Sequence, residues 1–237
     1  HYPLRRQRQM CIRDRSNTVK QTFSKISGLK ETNMDVLYNT NETEQIIDKS
    51  KDIVDDVSFD KNTINICSVG KITKVKGYKR LAKIHKKLIN EGLKHHIYIL
   101  GIGECEENIK KYIEENNLQD TYTLLGFRDN PYKYVSKCDL FVCSSYREGF
   151  STAVTESLVV GTPVVSTLCS GAQELLGYNN EYGLVVENSE EGIYEGIKKL
   201  LEDRELLAYY KEKAIERGSF FSKEKTVKAV EDMIDSL

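Results

Sequence analysis

The sequence predicts an α/β protein built on a doubly wound parallel sheet, and three observations carry that prediction. Short β-branched runs alternate with amphipathic runs at helical spacing from residue 63 onward. The strand runs are apolar almost throughout, as strands buried on both faces must be. Glycines punctuate the ends of these runs, where strand-to-helix turns are needed.

The elements follow in order. "TINICSVG" reads as a strand, and "KGYKRLAKIHKKLINEG" as an amphipathic helix that Gly92 stops. "HHIYILG" is the second strand, "ECEENIKKYIEENN" a helix and "TYTLLG" the third strand. "NPYKYVSKC" places Pro131 at the start of a short helix. "DLFVCS" is the fourth strand, and "STAVTESLVVG" a helix capped by Ser151 and ended by Gly161. "TPVVST" and "YGLVVEN" complete six strands, and helix runs from about Ser189 to the C-terminus. The result is a Rossmann-like sheet, in which ligands bind beyond the C-terminal strand ends.

Bulk properties narrow the function. The 237 residues carry 35 basic and 36 acidic side chains, so no global field favours nucleic acid. No run reaches the ~18 apolar residues of a membrane span, and no signal peptide is expected. The prediction is a cytoplasmic protein, soluble or peripheral at the inner face of the membrane. Residues 1–16 hold five of the ten arginines and a charge of +4, against −5 for the rest. That break in usage predicts an artefactual or disordered tail in preference to a targeting arm. The six cysteines form no C-x-x-C pair and read as reduced packing residues. His85, His95 and His96 make a weak case for metal, and no metal site is predicted.

Four turns carry the chemistry. In "SVGKITKVKG", Lys71 and Lys76 follow the first strand and could hold a diphosphate, although lone surface lysines are common. In "LGIGECEEN", Gly101 and Gly103 begin a dinucleotide fingerprint, but Glu106 stands where its third glycine belongs, so a tight turn is the simpler role. In "LGFRDNPY", Phe127 and Arg128 could flank a flat base beside Gly126.

The fourth turn, "YREGFSTAVTESLVVGTPVVST", places Glu148 in a loop and Glu156 inside the next helix, with seven residues between them. The amides around Gly149, Phe150 and Ser151, at that helix's start, suit an anion. The carboxylates cannot serve a phosphate, so they should accept hydrogen bonds from sugar or ribose hydroxyls.

These motifs together resemble the retaining family 4 (group 1) glycosyltransferases of the GT-B fold. The likeness rests on the paired glutamates, on "SVGKITKVKG", on "LGFRDNPYKYVSKCDLFVCSS" and on "EYGLVVENSEEGIYEGIKKLL", and it covers roughly residues 62–203. The resemblance implies that Glu148 serves the donor sugar or reaction centre and Glu156 the nucleotide ribose. It assigns Lys71 and Lys76 to the pyrophosphate, and Phe127 and Arg128 to the base. Lys71 departs from the family's usual arginine and lacks a bidentate fork. The implied donor is a nucleotide diphosphate sugar, UDP-linked, with no cofactor or obligatory metal. The implied acceptor is a saccharide or lipid-linked glycan of the bacterial cell surface.

The resemblance also implies an organisation. Residues 17–60 look like a remnant of an N-terminal domain and its linker, 61–218 like the nucleotide-sugar-binding domain, and 219–237 like a crossover helix. Val227, Val230 and Ile234 give that last helix an apolar stripe. The chain is therefore expected to be the donor-binding half of a transferase that needs an N-terminal domain. Two alternatives remain at this stage, a non-catalytic nucleotide-sugar-binding subunit completed by a partner chain and a GT-B epimerase. The paired glutamates argue against the epimerase.

Overall fold

The computed structural model describes residues 42–225 continuously, together with 12–14, 21, 24–28, 34–36, 227, 228 and 231. Strands β1 (Ile12–Asp14) and β2 (Met34–Val36) pair in parallel with each other. The rest of the 1–16 segment lies outside the described residues.

The main sheet has six parallel strands: β3 (Ile64–Val69), β4 (His95–Leu100), β5 (Tyr122–Gly126), β6 (Leu140–Cys143), β7 (Val164–Thr167) and β8 (Leu184–Val186). Their order is β5-β4-β3-β6-β7-β8. The fold is thus the α/β, Rossmann-like doubly wound sheet that the alternation predicts. The chain starts at the centre, builds outward one way, then returns and builds the other way. That reversal opens a crevice beyond the C-terminal ends of β3 and β6.

Alternating side chains divide the core between the two sheet faces. Ile64, Ile66, Ile97, Ile99, Leu140 and Val142 belong to one buried cluster, and Cys67, Tyr98, Leu100, Phe141 and Cys143 to the other. Helices α2 (Tyr78–Asn90), α3 (Glu106–Glu115) and α7 (Glu190–Glu202) cover the first face. The short α4 (Tyr132–Val135), α5 (Thr152–Val159) and α6 (Ala172–Leu176) cover the second. Helix α8 (Arg204–Gly218) adds Leu207 and Tyr210 to one cluster and Ala214 to the other.

Helix α1 (Thr43–Ser50) and the strand-free stretch after it are stitched to the second face. Val54, Val57 and Phe59 pack on its core, with the Phe59 ring 4.9 Å from Tyr98. Lys133 Nζ donates to Ile53 O at 3.0 Å and the Tyr134 hydroxyl to Asp56 at 2.8 Å. Lys223 reaches back to the Glu42 carboxylate at 2.9 Å. Val227 is partly exposed, while Val230 and Ile234 of the expected stripe lie outside the described residues.

His85 and His95 are structural. His95 Nδ1–H donates to Leu93 O at 2.8 Å, which leaves its Nε2 to accept from His85 Nδ1–H at 2.7 Å. His85 Nε2 then accepts the Thr121 hydroxyl at 2.9 Å. Every ring nitrogen of the pair is used with both imidazoles neutral. Burial, aided by the neighbouring imidazoles, pushes the pKa of His85 down to about 2 and that of His95 down to about 4, with the Leu93 hydrogen bond opposing the shift at His95. Cys67, Cys138 and Cys143 are buried free thiols. Among the described residues, no three His, Cys, Asp or Glu side chains gather as a metal site.

Candidate functional site

On the β3, β4 and β5 side of the crevice, the floor is backbone. Past their strand ends, the β3 and β4 loops go on pairing through Gly70 N to Leu100 O and Ile72 N to Ile102 O, each 2.9 Å. A Cβ on Gly101 would sit 2.0 Å from Gly70 O, and one on Gly103 would sit 2.3 Å from Ile72 O. The two glycines of the incomplete fingerprint therefore serve this close approach.

Above that floor lies a cleft of ≈ 670 Å³ whose lining includes Lys71, Ile102, Phe127, Arg128, Tyr132 and Glu156. Four residues singled out in the sequence thus converge from three separate turns. Phe127 is 63% exposed and Ile102 54%, so both offer apolar surface to the cleft. Arg128 lines the cleft, but its guanidinium is already paired, 2.9 Å from Asp56.

Glu156 is half-buried, and its Oε1 accepts the Tyr132 hydroxyl at 3.1 Å. Burial raises the Glu156 carboxyl above the usual range, with the tyrosine bond opposing it. Burial and that carboxylate together push the Tyr132 hydroxyl up to about 12. Tyr132 therefore stays a donor and fixes one Glu156 oxygen, leaving the other lone pairs for a ligand hydroxyl. Sequence reasoning missed this tyrosine, because nothing local links it to a carboxylate 24 positions on.

Glu148 and Lys76 lie to one side of this cleft. The Lys76 ammonium is 2.6 Å from Glu148 Oε2, both side chains being mostly buried, and Ser145 Oγ donates to the same oxygen at 3.1 Å. Glu148 and Gly149 border an open depression of ≈ 560 Å³ with Tyr146, Arg147, Leu168, Cys169 and Ser170. A Cβ at Gly149 would meet nothing within 4 Å, so this glycine leaves free space at the depression. The structure does not place Lys76 beside Lys71 in one lining; its partner is the carboxylate.

Ser151 caps α5, its hydroxyl accepting from Val154 N at 3.5 Å. The expectation at Phe150 concerns its backbone amide, and its side chain turns elsewhere. Its ring packs on the second core cluster, 6.4 Å from Phe221, because an apolar ring gains more from burial than from the wet loop edge. Its backbone stays with Gly149 and Ser151 at the start of α5.

Three comparisons bear on this site. The family model described as "Glycosyl transferases group 1" matches residues 49–217. The N-acetylgalactosamine-N,N'-diacetylbacillosaminyl-diphospho-undecaprenol 4-alpha-N-acetylgalactosaminyltransferase of Campylobacter jejuni is 38% identical over 193 residues, 81% of this chain and 50% of that protein. An uncharacterized glycosyltransferase of Methanocaldococcus jannaschii is 31% identical over 172 residues, 66% of this chain and 42% of that protein. The chain spans about half the length of the curated relatives it matches. HepE of Anabaena, solved in complex with UDP, superposes with a TM-score of 0.79 at 18% identity, covering 96% of this chain and 64% of that one. A TarM variant of S. aureus, solved with UDP, alpha-GlcNAc-glycerol and fondaparinux, gives 0.76 at 18% identity, covering 92% and 42%.

Proposed function

The chain belongs to the group 1 glycosyl transferases, and from that premise we propose that it binds a UDP-sugar at the crevice and presents it for transfer. The observation that carries this reading is the convergence of Lys71, Phe127, Arg128 and Glu156 in one cleft at the sheet's C-terminal edge, beside the Lys76–Glu148 pair. The base lies against Phe127 and Ile102, the ribose hydroxyls donate to Glu156, and the diphosphate lies toward Lys71, Lys76 and the α5 amides. The sugar occupies the depression beside Glu148.

The ion pair has a physical purpose in this arrangement. A lone carboxylate next to a diphosphate would repel it strongly in a partly dry crevice. Lys76 at 2.6 Å neutralises Glu148 and can turn part of its charge to the departing diphosphate. The transfer is retaining and needs no obligatory metal. The acceptor's hydroxyl attacks from the leaving-group side, and the leaving phosphate assists its deprotonation. The acceptor is a saccharide or lipid-linked glycan of the bacterial surface, a class supported by the name of the Campylobacter relative. Its binding surface lies on an N-terminal Rossmann domain, for which this chain is the donor-binding half. The half-length match to the relatives supports that division. The enzyme works in the cytoplasm, associated peripherally with the membrane's inner face. Among the described residues, no helix is long and apolar enough to cross a membrane.

Calorimetric titration with UDP and uridine tests the placement. Lys76→Ala should weaken UDP by roughly 10-fold and leave uridine unchanged, since an ammonium contributes only where the anion lies. An equal loss for both ligands would mean that Lys76 supports the fold and does not hold the diphosphate.

A further inference from the structure

The two charged groups at the centre of the proposed donor site hang from different loops, Lys76 from residues 71–77 and Glu148 from residues 144–150. Neither loop belongs to a helix or strand at these positions, apart from one short 3₁₀ turn (Lys74–Lys76). Something must fix their separation, and the structure shows what does.

Arg80, in the first turn of α2, is 2% exposed. Its Nε–H donates to Ser144 O at 2.8 Å and its Nη2 to Asn188 Oδ1 at 2.9 Å. Its guanidinium lies 3.8 Å from the centre of the Tyr146 ring. Asn188, in the loop before α7, returns a hydrogen bond to Tyr146 O at 2.9 Å. The two site loops are also joined directly, through Ser144 Oγ to Lys76 O at 2.9 Å and Tyr146 N to Val75 O at 2.7 Å. Gly77 makes the approach possible: a Cβ there would stand 2.8 Å from Arg80 Nε and 2.1 Å from Ser144 O.

A buried guanidinium carries a large desolvation cost and persists only where its donors are used. Here the planar fork bridges two loops and stacks on the ring of a third contact, which a lysine's point charge cannot do.

We propose that Arg80 is a positioning residue for the donor diphosphate: from the helix that directly follows the Lys76 loop it clamps the Glu148 loop to Asn188, and so sets the Lys76–Glu148 geometry. The proposal rests on the donor-site reading above, and two readouts separate them. The first is UDP and uridine titration of Arg80→Lys, Lys76→Ala and the double variant, each first shown to be folded by its urea transition. Arg80→Lys should bind UDP about 10-fold more weakly with uridine unchanged, and should have no further effect once Lys76 is alanine. The second is hydrogen exchange without ligand, where Arg80→Lys should speed exchange of the 144–150 amides and leave β3 and β4 protected. If Arg80→Lys does not fold, Asn188→Ala removes one arm of the clamp and should show both effects in reduced form. Unchanged exchange at 144–150, unchanged UDP affinity, or an equal loss for uridine in a folded variant would overturn the clamp. Faster exchange together with a Lys76→Ala protein that binds UDP normally would retain the clamp's mechanical part, overturn its role for the diphosphate, and sink the donor-site reading at Lys76.

Discussion

Gly77→Ala is expected to destabilise the protein by roughly 2–4 kcal/mol, whereas Gly92→Ala should cost only about 1–2 kcal/mol. Both glycines hold left-handed backbone, with φ of 72° and 84°. An alanine pays the left-handed penalty at either position. The surroundings differ. A Cβ at Gly92 meets nothing within 4 Å, while one at Gly77 lies 2.1 Å from Ser144 O, a backbone atom that can retreat only if the loop moves. That movement would also break the Arg80 bond to the same carbonyl. Urea unfolding of the two variants measures the difference directly. Equal losses would show that the loops are not in the contact described.

Acid is expected to remove about 4 kcal/mol of stability between pH 7.5 and 5.0 through the histidine pair alone. Both pKa values are depressed on folding, His85 to about 2 and His95 to about 4, against an ordinary 6.5. Below pH 6.5 the unfolded chain takes up protons that the folded one refuses. Stability is therefore full above that value and is lost as pH falls. Each group contributes about 1.4 kcal/mol per pH unit, so 1.5 units give about 2 kcal/mol apiece. Urea transitions at the two pH values test this, with His85→Gln/His95→Gln as the comparison. The double variant should be less stable at pH 7.5 and should lose about 4 kcal/mol less than the wild type on going to pH 5.0, keeping the response of His96, whose pKa burial also lowers. A wild-type midpoint that does not move between the two pH values would contradict the buried neutral pair.

The sheet was legible in the sequence because β-branched runs and helical spacing are local signals. Ser151, Pro131 and Gly161 could be read as helix punctuation for the same reason, since caps act within four residues. What escaped depends on pairs far apart in the chain. Arg80 meets Asn188 across 108 positions, Lys76 meets Glu148 across 72, and Arg128 is claimed by Asp56. One of these left a trace. Arg80 lies on the same helix row as Ile84 and Leu88, both buried, so a charged residue on an apolar row signalled a buried clamp. The direction of the Phe150 ring was not legible, because a motif position says nothing about which way a ring turns. The role of Gly101 and Gly103 was half legible: the missing third glycine argued for a turn, but the backbone they pack against belongs to the preceding loop.

On the proposed reading, the cleft beyond the ends of β3, β4 and β5 holds a nucleoside diphosphate whose ribose is gripped by Glu156. Calorimetric titration of UDP into the wild type and Glu156→Ala tests it most directly, with 2′,3′-dideoxy-UDP as the second ligand. Hydrogen bonds to a charged acceptor are worth about 1.5–3 kcal/mol, so Glu156→Ala should bind UDP roughly 10- to 150-fold more weakly. The wild type should already bind the dideoxy ligand that weakly, and the substitution should then make little further difference. Equal UDP affinity in the wild type and Glu156→Ala, with both proteins folded, would contradict the claim.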